Sequence, residues 1–229
     1  MLEINDLHVA YGHARVIHGI QLAVRPGEMV FIVGRNGAGK TTLLKTIAGL
    51  ITPTKGDILF DGGSVVGEPP ERLARSGFRF VAQDKRVFST LSVRANIALA
   101  AHGSQTPIEE AWSKAVQLYP KLDEFRALPA GLLSGGQREI LLIGRALVGN
   151  PRLLLIDEPT EGLAAIVIED IFRILNRMRR TLSFIIVEQN LSVVARLADR
   201  IYVMKEGQII REITERNEIA DAAQLETYL

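Results

Sequence analysis

Apolar and polar residues alternate loosely over positions 2–24. Leu2, Ile4, Leu7 and Val9 are followed by Ile20, Leu22 and Val24, with Asn, Gly and His between them. That pattern predicts short antiparallel strands with Tyr11-Gly12 at a turn. The run Met29-Val30-Phe31-Ile32-Val33 is unbroken, which predicts a buried strand fed by the Pro26-Gly27-Glu28 turn. Leu43, Leu44, Ile47 and Ala48 then fall at helical spacing, closed by Gly49. Asp57–Phe60 reads as a strand, Asp61-Gly62-Gly63 as its tight turn, and Phe78–Ala82 as a strand ending at Gln83.

From Val93 to about Leu147 the period changes, and no strand is predicted. Ile108, Ala111, Trp112, Ala115, Val116 and Tyr119 recur at three- and four-residue steps, one face of a helix. Ile140, Leu141, Gly144 and Leu147 make another, starting near Arg138. Strand pattern returns at Arg152–Asp157 and Ser183–Val187, with a helix through Val167, Ile171, Ile174, Leu175 and Met178 between them. A hairpin is predicted over 201–210, turning at Glu206-Gly207, and a last helix over 217–229 with Asn217 as its cap. Strands alternating with helices predict an α/β protein with a parallel core. The helical stretch reads as a lobe inserted between strands.

Composition narrows the field. The chain has 229 residues, 47% hydrophobic and 23% charged, enough to bury a sizeable core. A formal net charge of +1 offers no footprint for a nucleic-acid backbone. With no cysteine there is no disulfide, thiolate metal site or thiol catalysis, which suits the cytoplasm. Met-Leu-Glu-Ile-Asn-Asp lacks the regions of a signal peptide. The longest apolar candidate for a membrane span, Ile140 to Ile156, is broken by Arg145, Asn150, Pro151 and Arg152.

Three motifs carry chemistry. Gly34, Gly39, Lys40 and Thr41 fill G-x-x-x-x-G-K-[ST], with Gly37 inside it, between a predicted strand and helix. Glycines there let backbone N–H groups curl into an anion nest at a helix N-terminus. Lys40 then reaches the outer phosphates and the Thr41 hydroxyl ligates Mg²⁺. Asp157-Glu158 ends an apolar strand, where paired carboxylates are costly unless a cation or donor meets them. A metal-bound nucleotide would meet them, Asp157 holding Mg²⁺ and Glu158 polarising the attacking water. A helix-capping turn is the alternative reading of Asp-Glu-Pro-Thr. Leu133-Ser134-Gly135-Gly136-Gln137 supplies a second small glycine turn before a helix, a phosphate cradle or a plain cap.

Walker A at 34–41, Gln83 after a strand, Leu-Ser-Gly-Gly-Gln at 133–137 and Walker B at 153–158 follow one another as in ABC-transporter ATPase subunits, which this chain resembles over essentially its whole length. The resemblance implies a P-loop NTPase core with a mostly parallel sheet and an N-terminal antiparallel β part, over 1–83 and 148–229, and a helical signature subdomain over 84–147. It implies ATP and Mg²⁺ as ligands. It also implies a head-to-tail dimer with a second ATPase subunit, sibling or self, in which each nucleotide lies between one Walker A and the other subunit's signature. The nucleotide residues it implies are Gly34, Asn36, Gly37, Ala38, Gly39, Lys40, Thr41 and Thr42, with Tyr11 stacked on adenine. Thr41, Gln83 and Asp157 are the implied metal set, and Glu158, Gln83 and Gln189 the catalytic set. Leu133, Ser134, Gly135, Gly136 and Gln137 face the partner's nucleotide, and Glu161-Gly162-Leu163 crosses the interface. Other implied partners are two transmembrane permease subunits and, indirectly, an exported substrate-binding protein, with no nucleic acid. The place is the inner face of the cell membrane.

One departure stands out: Gln189 occupies the position where most members have a histidine, and an amide carries no positive charge. Glu188-Gln189-Asn190, Pro159–Ala164 and Leu91–Asn96 resemble the shorter ATPase of branched-chain amino-acid importers, although Ala165 and Ser89 stand where prolines are usual. Relatives for urea and amide uptake and soluble non-transport ABC ATPases are the alternatives. A P-loop kinase or GTPase is disfavoured by the 133–137 stretch and by the lack of an Asn-Lys-x-Asp stretch.

Overall fold

The computed structural model describes residues 1–84, 86–179 and 181–229. Two sheets organise it. The first, in order β2-β1-β4-β5, is antiparallel and built from β1 (Leu2–Tyr11), β2 (Ala14–Val24), β4 (Lys55–Phe60) and β5 (Gly63–Ser64). The second runs β10-β9-β3-β8-β7-β6. Its strands β6 (Phe78–Val81), β7 (Leu153–Asp157), β8 (Ser183–Val187), β3 (Met29–Val33) and β9 (Arg200–Lys205) are mutually parallel. Only β10 (Gln208–Ile213) returns antiparallel, as the far arm of the predicted hairpin.

The unbroken apolar runs are explained by burial on both faces, the usual setting of a parallel sheet. Val30, Ile32, Leu153, Leu155, Ile185 and Val187 pack toward α1 (Lys40–Ile47) and the antiparallel sheet. Their alternates Phe31, Val33, Leu154, Ile156, Phe184 and Ile186 pack with α5 (Gly135–Ala146), α6 (Ala165–Met178) and α7 (Leu191–Leu197). The period of two thus divides one strand between two cores. From Val93 to Ala146, between β6 and β7, the regular elements are helices. Here α3 (Val93–Gly103), α4 (Ile108–Leu118) and α5 share a core of Val93, Ile97, Trp112, Ala115, Leu122 and Leu141. A short helix α2 (Pro70–Arg75) precedes β6.

Two boundaries differ from expectation. The helix expected near Arg138 begins at Gly135, because Ser134 caps it: its hydroxyl accepts from the Gln137 amide while the Gln137 side chain accepts from the Ser134 amide. The reciprocal cap stabilises a first turn that two glycines would otherwise loosen. The helix expected over 217–229 is two short ones, α8 (Arg216–Ala220) and α9 (Ala222–Glu226). Asn217 lies inside α8, and Asp221 breaks the helix and caps α9 by accepting from the Gln224 amide.

Candidate functional site

The β3–α1 junction is shaped by what its backbone touches. A Cβ on Gly34 would sit 2.2 Å from the Met204 carbonyl oxygen, so only glycine lets the loop leave β3 against β9. Gly39 holds φ +101 immediately before α1, and a Cβ there would approach the Met204 methyl to 2.9 Å. Lys40, the first residue of α1, is folded inward and buried. Its ammonium donates to the carbonyls of Gly34 (2.7 Å) and Arg35 (3.1 Å), and lies 3.9 Å from Glu158 Oε1. Burial pushes the Lys40 amine down, against the opposing pull of Glu158, Asp157 and Glu188.

Asp157 and Glu158 sit at the tip of β7, beside that loop. Both Asp157 carboxylate oxygens are buried and lack a hydrogen bond of ordinary geometry, with the Thr41 hydroxyl nearby. Burial pushes this carboxyl up, with the Thr41 contact and Lys40 pulling the other way. A buried carboxylate with no donor is expensive, and that donor set (a hydroxyl and a carboxylate) suits a hard divalent cation. Among the described residues no group of three or more His, Cys, Asp or Glu could hold a metal, so any cation here would complete its shell with ligand and water oxygens.

Glu158 is held from two sides. Its backbone has φ +51, and its N–H donates to Val187 of β8 at 2.9 Å. Gln83 Nε2 donates to Oε2 at 3.1 Å and also to Glu161 at 2.9 Å. Gln189 Nε2 donates to Oε1 at 2.6 Å and to Asn36 Oδ1 at 2.9 Å. Glu158, at the tip of β7, therefore collects side chains that follow β6 and β8, and through Gln189 it is tied to the glycine loop. Sequence reading missed Glu188, which is buried and accepts from the Thr160 hydroxyl and from the Gln189 and Asn190 amides at 2.8–3.0 Å. It fixes the turn that aims Gln189; its signal was a carboxylate directly after four apolar residues, Phe184 to Val187.

Not every expected residue meets the others. Tyr11 is half exposed at the β1–β2 hairpin. Ser134, Gly135 and Gln137 lie at the surface-facing start of α5, and Leu133 is buried beneath them. Gly136 packs so closely on α6 that a Cβ would meet Val167 at 2.6 Å. Among the described residues no hydrogen bond joins 133–137 to 34–42. The two cradles are separate.

A parallel sheet whose strand tips carry a glycine loop, an inward lysine and an Asp-Glu pair defines a P-loop nucleoside triphosphatase. The family model described as "ABC transporter" matches residues 17–161. A branched-chain amino-acid transport ATP-binding protein, BraG of Pseudomonas aeruginosa, is 38% identical over 216 residues, covering 93% of each chain. A probable branched-chain amino-acid transport ATP-binding protein, LivF of Archaeoglobus fulgidus, is 31% identical, covering 91% of this chain and 90% of its own. The ADP conformation of an ATP-binding cassette of an ABC transporter superposes with a TM-score of 0.83 at 29% identity, over 100% of this chain and 98% of that one. The chain belongs to the ABC transporter ATP-binding family; it is an ATP-binding and ATP-hydrolysing cassette. Among the described residues no helix is long and apolar enough to cross a membrane.

Proposed function

We propose that this chain energises an importer of branched-chain, hydrophobic amino acids. It would work as half of a head-to-tail ATPase pair on the inner face of the cell membrane, bound to two permease subunits and served by an exported binding protein. The observation that carries the substrate class is the 38% identity to a branched-chain amino-acid transport ATPase over 93% of both chains. The pairing is supported by the exposed Ser134–Gln137 turn, which makes no hydrogen bond to the chain's own glycine loop among the described residues. The division into a core (1–83 and 148–229) and a helical signature subdomain (84–147) belongs to the same proposal.

The loop amides from Gly34 to Thr42, including Asn36, Gly37 and Ala38, would wrap the phosphates, and Tyr11 would stack on the base. Lys40 would exchange the Gly34 and Arg35 carbonyls for the β- and γ-phosphate oxygens, an exchange its present bonds make local. Water attacks the γ-phosphorus as the bond to the bridging oxygen breaks; its proton passes to Glu158, and ADP leaves. The Gln83 and Gln189 amides, already on that carboxylate, would orient water and base. Thr41, Asp157 and Gln83 would hold Mg²⁺, which supplies charge neutralisation of the phosphates.

The test is reconstitution of the chain with its two permease subunits and binding protein in proteoliposomes. Leucine-dependent stimulation of phosphate release, with labelled leucine taken up, is the expected result. Stimulation by urea or a short amide but not by leucine would refute the amino-acid assignment.

A further inference from the structure

One dipeptide of the glycine loop carries a chemistry of its own. The chain contains seven asparagines, and only Asn36 is followed by glycine. The other six precede Asp6, Ile97, Pro151, Arg177, Leu191 and Glu218. An asparagine side-chain carbon can close a succinimide ring with the backbone nitrogen of the next residue. A following side chain hinders that closure, and at Pro151 the N–H it needs is missing. Glycine offers an unobstructed nitrogen and a backbone free to rotate toward it.

The local structure leaves this pair open. Arg35, Asn36 and Gly37 are exposed, in a turn closed by the Ala38 amide on the Arg35 carbonyl at 3.2 Å. Gly37 holds φ +81, with nothing within 4 Å of where its Cβ would stand. Among the described residues its N–H donates to no acceptor. Asn36 Oδ1, in contrast, accepts from Gln189 Nε2 at 2.9 Å. That donor draws electron density toward Oδ1, the atom that takes up charge when a nucleophile adds at Cγ.

We propose that Asn36-Gly37 is a self-modifying site and that bound nucleotide protects it. The Gly37 nitrogen, once deprotonated, adds to Asn36 Cγ; the bond from Cγ to the side-chain nitrogen breaks, ammonia leaves and a succinimide remains. Water then opens the ring. Opening at Cγ leaves aspartate, and opening at the backbone carbonyl leaves isoaspartate, whose main chain runs through the side chain. Water enters, ammonia departs and nothing is oxidised or reduced.

Either product places a carboxylate in a loop whose amides gather anions. The new charge is one nitrogen away from Glu158, because Gln189 Nε2 also donates to Oε1 at 2.6 Å. Isoaspartate lengthens the main chain as well, which displaces the amides that follow. The inference rests on the reading of 34–42 as the phosphate loop. An amide bonded to phosphate is not free to attack, so a chain holding nucleotide stays intact while one left empty loses its site with age.

For the test, the purified chain is incubated with Mg²⁺ at mildly alkaline pH, with and without the non-hydrolysable imido analogue of ATP, whose binding is checked by thermal shift. Peptide mass spectrometry and labelling by an isoaspartyl methyltransferase follow all seven asparagines. Conversion at Asn36 ahead of the other six is expected. With the analogue at about a hundred times its Kd only about one chain in a hundred is empty, so conversion should slow about a hundredfold. The aged chain and the Asn36→Asp variant should both bind the analogue about tenfold or more weakly, through like-charge repulsion. An Asn36 that stays intact while a free peptide of residues 33–40 converts would overturn the self-modification. Undiminished conversion in a chain shown to bind the analogue would overturn the protection, and unweakened binding by the converted chain the loss of the site. Absence of any thermal shift would count against the nucleotide reading itself, and conversion at Asn36 in the same samples still decides the self-modification.

Discussion

Glu158→Gln separates the shape of the site from its chemistry, and the structure sets the size of both effects. The carboxylate accepts from two amides, Gln83 on one oxygen and Gln189 on the other. A glutamine keeps one acceptor and presents an NH₂ where the second was, so one of those amides faces another donor. Losing a hydrogen bond to a charged group costs about 1.5–3 kcal/mol. The Lys40 ammonium 3.9 Å away also loses its nearest counter-charge. That gross attraction is about 4 kcal/mol at an effective dielectric near 20, largely cancelled because a buried carboxylate no longer has to be desolvated. The expected net loss for the nucleotide-free protein is about 1–3 kcal/mol. For a chain of this size that is a fall in melting temperature of roughly 3–10 °C.

Turnover should fall much further, by about 10²–10⁴-fold, if the carboxylate is the base. ATP binding should survive, because the loop amides and Lys40 are untouched. Thermal melting with and without ATP, together with single-turnover phosphate release, reads all three quantities on one preparation. Unaltered phosphate release would remove Glu158 from the proton transfer. An unaltered melting temperature in the nucleotide-free protein would show that the two amides contribute nothing net to holding the carboxylate.

Asp157→Asn should raise nucleotide-free stability near pH 7, because burial holds this carboxyl above its unfolded value and the charged form is the penalised one. The stabilisation should vanish as pH falls through the folded and then the unfolded pKa, where wild type is neutral too; melting across that range with no gain at neutral pH would contradict it. The same variant should lose the extra thermal shift that Mg²⁺ adds to ATP. Gly136→Ala should cost about 1–3 kcal/mol by overpacking against Val167, and Val167→Ala in the same chain should recover most of it by denaturant melting. Gln189→His should change turnover without changing ATP affinity; equal phosphate-release rates from pH 6 to 8, at about the spacing that spans a histidine pKa, would make the substitution mechanistically silent.

What was legible in the sequence was legible because a single constraint acted locally. Met29–Val33, Leu153–Asp157 and Ser183–Val187 read as strands because burial on both faces keeps polar residues to one end of each run at most. The glycine loop was legible as a motif because its spacing is local, and the close approach to Met204 that admits no side chain at Gly34 is the structural counterpart. The start of α5 misled because Gly135-Gly136 suggests a break, while the Ser134–Gln137 capping box, a local signal between residues three apart, overrides it. The C-terminal pattern was apolar enough for one helix, but Asp221 competes for backbone amides and splits it. The bond from Gln189 to Asn36 spans 153 residues of sequence, and no spacing rule reaches that far.

The arrangement around Glu158 shows what an amide at position 189 can reach. The group there does two things at once: it donates to Glu158 and to the glycine loop at Asn36. Gln189 Nε2 carries two hydrogens on one atom and does both. The turn that aims it is built by Glu188, whose two oxygens take the Gln189 and Asn190 amides and the Thr160 hydroxyl. Thr160 follows Glu158 by two residues, so that carboxylate joins the strand tips of β7 and β8. Gln83, by contrast, hangs from the edge strand β6 and is shared between Glu158 and Glu161. Each of the two amides on Glu158 is thus shared with a second acceptor, Gln83 with Glu161 and Gln189 with Asn36.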